Sequence, residues 1–429
     1  MKILISQAVI TDLRHPDNGK KRDLLIEGGK IVKIAARIGD AADKTVEAPG
    51  LRVSVGWMDF RADFRDPGAE HKENLESGLR AAAAGGFTAV AVSPHTTPPV
   101  DNKGAVEYLL NRSRNSITSL VPVGSLSKGL KGESLAELFD MHSAGAALFG
   151  DDKRSIRESG LLQRALLYAK NFGGRIAHFP CDTSLVPNGQ MNEGLQSTLL
   201  GLKGIPAMAE ESAVMRDLAL LEYTGGKLHL GPLSTAASVQ AVKAARKKGL
   251  DVTCETTAAH LAYSDSALSG FNSAHKLMPP LREEANRKQL IKALAAGDIQ
   301  IISSDHTPED EERKKCEFDF AAFGTAGIET FFPLLWEALG DKVPADRLTA
   351  AFTTAPREAA GIPLPEIAEG EKAELTLFCT SGETDFTEKE GTPAGSPFHS
   401  KAYNIAERGK VLRGRVIGVL NRGKISLNP

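Results

Sequence analysis

Cysteine is scarce in this 429-residue chain, and the four present (Cys181, Cys254, Cys316 and Cys379) stand far apart with no C-x-x-C pair. That spacing argues against a disulfide framework or a zinc knuckle and fits a reducing cytoplasm. A charge excess is also lacking: 52 Lys and Arg against 54 Asp and Glu leave a net charge of −2. Such a balance offers no electrostatic attraction to nucleic acid or to an anionic membrane. No apolar run reaches the roughly 18 residues that a membrane span needs. The opening Met1-Lys2-Ile3-Leu4-Ile5 reads as a strand rather than a signal peptide. Otherwise the composition is ordinary: 41% hydrophobic and 25% charged, as in a globular protein of one large domain with an appendage, or of two to three domains. Ten histidines are enough for a metal site, so their positions decide.

Residues 1–52 read as short strands, Lys2–Ile10, Arg22–Glu27, Ile31–Ile34 and Thr45–Glu47, separated by turn signals such as Asp17-Asn18-Gly19 and Gly28-Gly29. The same texture returns at Ala373–Phe378 and Val411–Asn421. Two all-β ends predict one discontinuous β domain, a small β-sandwich from residues 1–52 plus 368–429. Between them, eight short apolar runs alternate with amphipathic segments: Val53–Met58, Thr88–Val92, Ser119–Val123, Ala146–Phe149, Arg175–Phe179, Lys227–Gly231, Asp251–Glu255 and Ile299–Ser303. Eight β/α units over residues 53–367 predict an α/β fold of the TIM (β/α)8 barrel type, with a doubly wound sheet as the competing arrangement. A barrel carries its chemistry at the C-terminal ends of its strands, so the polar residues after each run come first.

After the first run stands Asp59-Phe60-Arg61-Ala62-Asp63-Phe64-Arg65-Asp66-Pro67-Gly68. Alternation puts Arg61, Asp63 and Arg65 on one side of a strand. They form either a solvated strand end with structural ion pairs or one face of a site. Ser93-Pro94-His95-Thr96-Thr97-Pro98 follows the second run, Gly150-Asp151-Asp152-Lys153 the fourth, and His178 ends the fifth. Gly231-Pro232 closes the sixth, after His229, and Ser303-Ser304-Asp305-His306-Thr307-Pro308-Glu309 follows the eighth.

These segments, in this order and over nearly the whole chain, resemble the cyclic amidohydrolases, above all dihydroorotase. The first resembles that family's Asp-x-His-x-His-x-Arg-x-Pro-Gly strand, with Arg61 and Asp63 in place of both histidines. The resemblance implies a zinc site built from histidines and carboxylates, which activates a water and polarises the carbonyl of a cyclic amide. It makes His178, Asp305, Asp151 or Asp152, and Asp63 the remnant metal positions. Asp305 matches the general base, Arg65 a carboxylate-binding residue, and His95 a substrate-binding asparagine. It also marks departures. Pro232 replaces a metal histidine, Met278 a second asparagine, Glu309 a substrate histidine, and Lys153 a glycine whose backbone a lysine adopts less readily. One of four metal histidines remains, so the expected cofactor is none, with one zinc or manganese ion as the alternative.

On this reading Arg61 is a metal-replacing cation, pairing with Asp305 and with Asp151 or Asp152. The implied protein is a dihydroorotase-like member of pyrimidine biosynthesis without dihydroorotase activity, a homo-oligomer with a dimer favoured. The resemblance further implies a structural partnership with aspartate carbamoyltransferase. Two other readings stand beside it: an active metal-dependent cyclic amidohydrolase with an altered site, and a small-molecule binding protein using Arg65 and His95.

Overall fold

The computed structural model describes residues 1–387 and 397–428. Eight strands run in sequence around one parallel sheet: Trp57–Ala62, Phe87–Val92, Ser119–Gly124, Leu148–Phe149, Arg175–His178, Leu228–Leu230, Val252–Thr257 and Ile301–Ser303. Each pairs in parallel with the next. The first strand meets the chain just past the last through a parallel bridge, Ala62 to His306, and a bond from Asp63 N–H to the His306 carbonyl at 2.8 Å. A sequential order that returns to its start is a nearly closed barrel, which rules out the doubly wound alternative.

The terminal strands form a separate sheet. Lys2–Ile10 pairs antiparallel with Lys21–Glu27 and parallel with Lys44–Val46 and Leu51–Val55. Leu51–Val55 then pairs antiparallel with Leu375–Asp385, which is followed by Val411–Asn421 and Lys424–Leu427. Ile5, Ile10, Leu24, Val53, Leu375 and Leu377 are buried in its own apolar cluster.

One predicted strand needs correction. The run Val53–Met58 is two strands, Leu51–Val55 in the terminal sheet and Trp57–Ala62 in the barrel. Gly56 allows the switch: a Cβ there would lie 2.1 Å from Thr88 Oγ1, so only glycine passes. Immediately after it, Trp57 is fully buried among Phe87, Phe332, Phe352 and Phe378 at centroid distances of 5.0–6.2 Å. Phe378 belongs to the terminal sheet, so this ring locks the two sheets together.

Met58, Phe60, Ala89, Ala91, Val121, Leu148 and Ile301 fill the barrel with apolar side chains. Polar residues therefore collect where that filling stops, at the strand C-termini. Among the described residues no helix is long and apolar enough to cross a membrane.

Candidate active site at the barrel mouth

Arg61, at the end of the first strand, reaches across the barrel mouth. It donates from Nε to Glu255 Oε1 at 2.7 Å, from Nη2 to the Gly231 carbonyl at 3.0 Å, and from Nη1 to Asp152 Oδ1 at 3.3 Å. Burial alone would lower the Arg61 pKa, but Glu255, Asp152 and Asp305 outweigh it and raise it. Glu255 is fully buried. Burial pushes its pKa up, yet Arg61, with His229 in support, holds it down at about 2. Both groups of this pair are therefore charged.

The partners expected of Arg61 need correction. Asp305 is taken by Lys153, whose Nζ lies 2.7 Å from Asp305 Oδ2 and 3.2 Å from Thr307 Oγ1. Asp305 Oδ1 is buried without a hydrogen bond. Burial raises the Asp305 pKa, with Lys153 and Arg61 opposing. Asp151 points away from Arg61. It accepts from Leu126 N at 2.8 Å, Ser127 N at 2.9 Å, Ser125 Oγ at 3.0 Å and the Ser127 hydroxyl, and so organises the loop after the third strand. Glu255, which ends a predicted strand, carried no sequence signal as the main partner of Arg61. Nor did Lys153 as the partner of Asp305.

His178 is buried between its strand and the helix Met208–Thr224. Its Nε2 accepts from Ile156 N–H at 2.9 Å, so Nδ1 carries the proton and donates to Asp217 Oδ2 at 2.6 Å. Arg216 holds the other Asp217 oxygen at 2.7 Å. Both imidazole nitrogens are thus engaged within the protein. Met278 packs against the buried cluster of Phe179, Cys181 and Ala209.

Arg65 closes the other side of the mouth. Its Nη2 donates to Glu309 Oε1 at 3.1 Å, and its Nη1 lies 3.0 Å from Asp63 Oδ2 and 3.2 Å from His95 Nδ1. Lys72 holds the second Glu309 oxygen at 2.5 Å. Burial raises the Asp63 carboxyl to about 6, Arg65 opposing, and burial lowers the His95 imidazole. Three residues here have positive φ: Arg65 at 57°, Asp152 at 53° and Asp305 at 53°. Non-glycine residues in that region cluster at functional sites, where each costs on the order of 1–3 kcal/mol. Lys153, expected to carry that backbone burden, does not; its neighbour Asp152 does.

A strap from the C-terminal part of the chain is fastened near the mouth. Asn404 accepts from Glu309 N–H at 2.8 Å and donates to the Thr307 carbonyl at 2.8 Å. Further along, Ser400 bonds to buried Glu73, and Glu329 Oε1 accepts from His399 N at 3.0 Å and Ser400 N at 2.9 Å. Burial raises the Glu329 carboxyl to about 7 from an ordinary 4.5; the two backbone donors oppose this and Glu73 adds to it. The protonated form is therefore favoured in the fold. Its stabilising contribution is complete below the unfolded pKa and is lost as pH rises from about 4.5 through about 7. The Glu329→Gln variant should gain stability relative to the parent across that window. Urea midpoints at pH 4.5, 6 and 8 measure this, and a pH-independent difference would disprove it.

Comparison with known proteins places these features in a family. A model described as dihydro-orotase-like matches residues 51–238. The chain is 37% identical over 430 residues to a dihydroorotase of Ruminiclostridium cellulolyticum, covering 97% of this chain and 100% of that one. It is also 37% identical over 432 residues to a dihydroorotase of Pelotomaculum thermopropionicum, covering 99% and 98%. Among solved structures it superposes on the L-hydantoinase (dihydropyrimidinase) of Arthrobacter aurescens with a TM-score of 0.85 at 21% identity, covering 99% of this chain and 96% of that one. A dihydropyrimidinase of Brevibacillus agri gives 0.82 at 21% identity, covering 100% and 95%. At such identities the structures bear on the fold.

The expectation that no cofactor is held is corrected by the site itself and by this kinship. Asp63, His95 and Asp152 offer three ligand atoms lying within 4.8 Å of one another. His95 Nδ1 is 3.6 Å from Asp63 Oδ2 and 3.8 Å from Asp152 Oδ2. Asp63 Oδ2 is buried and accepts no aligned hydrogen bond, although Arg65 Nη1 is near. Two carboxylates and an imidazole suit one zinc or manganese ion. The trio uses His95, which the sequence marked for substrate, and does not include His178.

Proposed function

Since the chain belongs to the dihydroorotase family, we propose that it is a member that serves pyrimidine biosynthesis without interconverting carbamoyl-aspartate and dihydroorotate, as a structural partner of aspartate carbamoyltransferase. The observation that supports this best is the pairing of Lys153 with Asp305. In the family reaction Asp305 would move the proton between the attacking water and the leaving nitrogen. Lys153 Nζ engages Asp305 Oδ2 at 2.7 Å, so a water would have to displace the ammonium group to meet that oxygen. Hydrolysis also needs positive charge that strengthens on the oxyanion as it forms. Arg61 is already committed to Glu255, Asp152 and the Gly231 carbonyl. On the substrate side, Arg65 is committed to Glu309, whose negative charge opposes a dianionic ligand.

An ion held by Asp63, His95 and Asp152 would supply Lewis acidity at the mouth. That trio favours a second reading, an active cyclic amidohydrolase with another substrate. In it, Asp63, His95 and Asp152 together hold the ion.

The test is turnover in both directions, with zinc and then manganese added. Conversion of dihydroorotate or carbamoyl-aspartate should equal that of the Asp305→Asn variant. Metal-dependent conversion abolished by Asp305→Asn would overturn the proposal. Hydrolysis of hydantoin or dihydrouracil, lost in His95→Ala, would establish the second reading. Failure to co-elute with aspartate carbamoyltransferase of the same organism would remove the partnership.

A further inference from the structure

The strand Lys424–Leu427 stands at one end of the terminal sheet. It is the second arm of a hairpin turned by Arg422 and Gly423, both with positive φ. Asn421 lies opposite Lys424, and Asn428 N–H donates to the Ile417 carbonyl at 2.9 Å. Ladder bonds in an antiparallel pair involve every second residue. Lys424, Ser426 and Asn428 therefore turn their backbone groups toward the hairpin partner, while Ile425 and Leu427 turn theirs outward. Among the described residues no strand pairs with that outer side.

A groove of about 660 Å3 runs along this edge. Lys424, Ile425, Ser426, Leu427 and Asn428 all line it. Successive strand residues point to opposite faces, so an unbroken run of them lines a groove only where it follows the strand's edge. The facing wall is the helix Leu75–Ala84, which presents Leu75, Leu79 and Ala83, spaced by four residues. The exposed rim carries Arg80, Arg112 and Lys424 against a single carboxylate, Glu76. Arg422, bonded to the Ser116 carbonyl of the same lining at 3.3 Å, adds positive charge beside it. Burial, and then Arg80, lowers the pKa of the His399 imidazole, which also lines the groove.

From this arrangement we infer that the groove docks an extended acidic peptide of a partner protein, which adds to Lys424–Leu427 as a further strand. Backbone pairing with Ile425 and Leu427 supplies the attachment, and pockets for alternate side chains supply selectivity. Every second side chain of the peptide is apolar and meets Leu75, Leu79 and Ala83. Its carboxylates meet Arg80, Arg112 and Lys424. Charge selects this occupant over a second copy of the chain, because edge pairing of two copies would bring two basic rims together. A short edge that carries lysine is a common guard against unwanted pairing, and the same charge admits an acidic strand. At about 3.4 Å per residue the edge is about 17 Å long, room for a segment of about five or six residues. None of the site residues at the barrel mouth lines this groove, so the inference does not depend on whether the mouth is catalytic.

The test uses the full chain and the fluorescence anisotropy of a labelled peptide, Glu-Val-Thr-Val-Glu-Val-Glu, at low salt. The peptide should bind with a Kd below about 100 μM. The double variant Arg80→Glu, Arg112→Glu should weaken binding at least about tenfold, and Ile425→Pro, which removes only an outward N–H from an edge strand, should abolish it. N-methylation of the valines and N-methylation of the residues between them block opposite edges of the peptide. One modification should therefore abolish binding and the other spare it. Equal behaviour of the two methylated peptides, or no binding of the unmodified one up to about 1 mM, would overturn strand addition. Unchanged binding in the charge-reversed variant would overturn the acidic occupant. A dimeric parent that Ile425→Pro converts to a monomer in sedimentation velocity would give the edge to a second copy and overturn the inference.

Discussion

Replacing Arg61 with methionine should destabilise the protein by about 3–5 kcal/mol, the usual cost of removing one partner from a buried ion pair. The cause is what stays behind. Glu255 is completely buried, and Arg61 is its nearest cation at 2.7 Å. Without it, Glu255 must either remain charged in an apolar surrounding or take up a proton. Its carboxyl, now held at about 2, should then titrate well above the ordinary range. Arg61→Lys should recover only part of the loss. One ammonium group cannot reach Glu255, Asp152 and the Gly231 carbonyl together, as the guanidinium fork does. The double variant Arg61→Met, Glu255→Met should be more stable than Arg61→Met alone, because the fully buried Glu255 charge is no longer left without its guanidinium. Denaturant midpoints for the four proteins measure this. A loss below about 1 kcal/mol in Arg61→Met would mean that water reaches Glu255 and that the pair is a surface one.

A second large effect is expected at Trp57. Trp57→Ala should cost about 3–5 kcal/mol, the range for emptying a large aromatic site in a core. Four phenylalanine rings surround the indole, and its Nε1–H donates to Ser54 Oγ at 2.9 Å. Trp57 opens the first barrel strand and touches Phe378 of the terminal sheet, so the loss should fall on both sheets. Trp336 reports on this directly. It is the second of the chain's two tryptophans and donates to the Thr380 carbonyl of the terminal sheet at 2.8 Å. In the variant, unfolding followed by Trp336 fluorescence and by far-UV circular dichroism should shift together in one transition. A fluorescence transition that moves while the circular dichroism midpoint stays would show that the two sheets melt independently.

Much of the mouth was readable as a set of positions. Barrel topology sends every strand's C-terminal end to one rim. Arg61, Asp63, Arg65, His95, Asp152, Asp305 and Glu309 could therefore be assigned there from their places after apolar runs, and they gather there. The assignment worked less well for partners. Asp151 and Asp152 are adjacent and alike in sequence, but one faces the Ser125–Ser127 loop and the other faces Arg61. Backbone conformation separates them, and no residue type announces it. His178 had the right position for a metal ligand, while Asp217, 39 residues later on a helix, decides which of its nitrogens holds a proton.

Sequence by itself determined the eight-strand alternation, the terminal β strands, the family resemblance and which rim positions had lost their histidines. Those are properties of local pattern, which periodicity and motif order express directly. Only the tertiary structure decided that Arg61 pairs with Glu255, 194 residues away, and that Lys153 takes Asp305. It also brought Asp63, His95 and Asp152 within reach of a single ion. The reason is physical: in a buried site each charge pairs with whatever the closed barrel brings within about 3–4 Å, and that distance depends on rotamers and strand register summed around the ring.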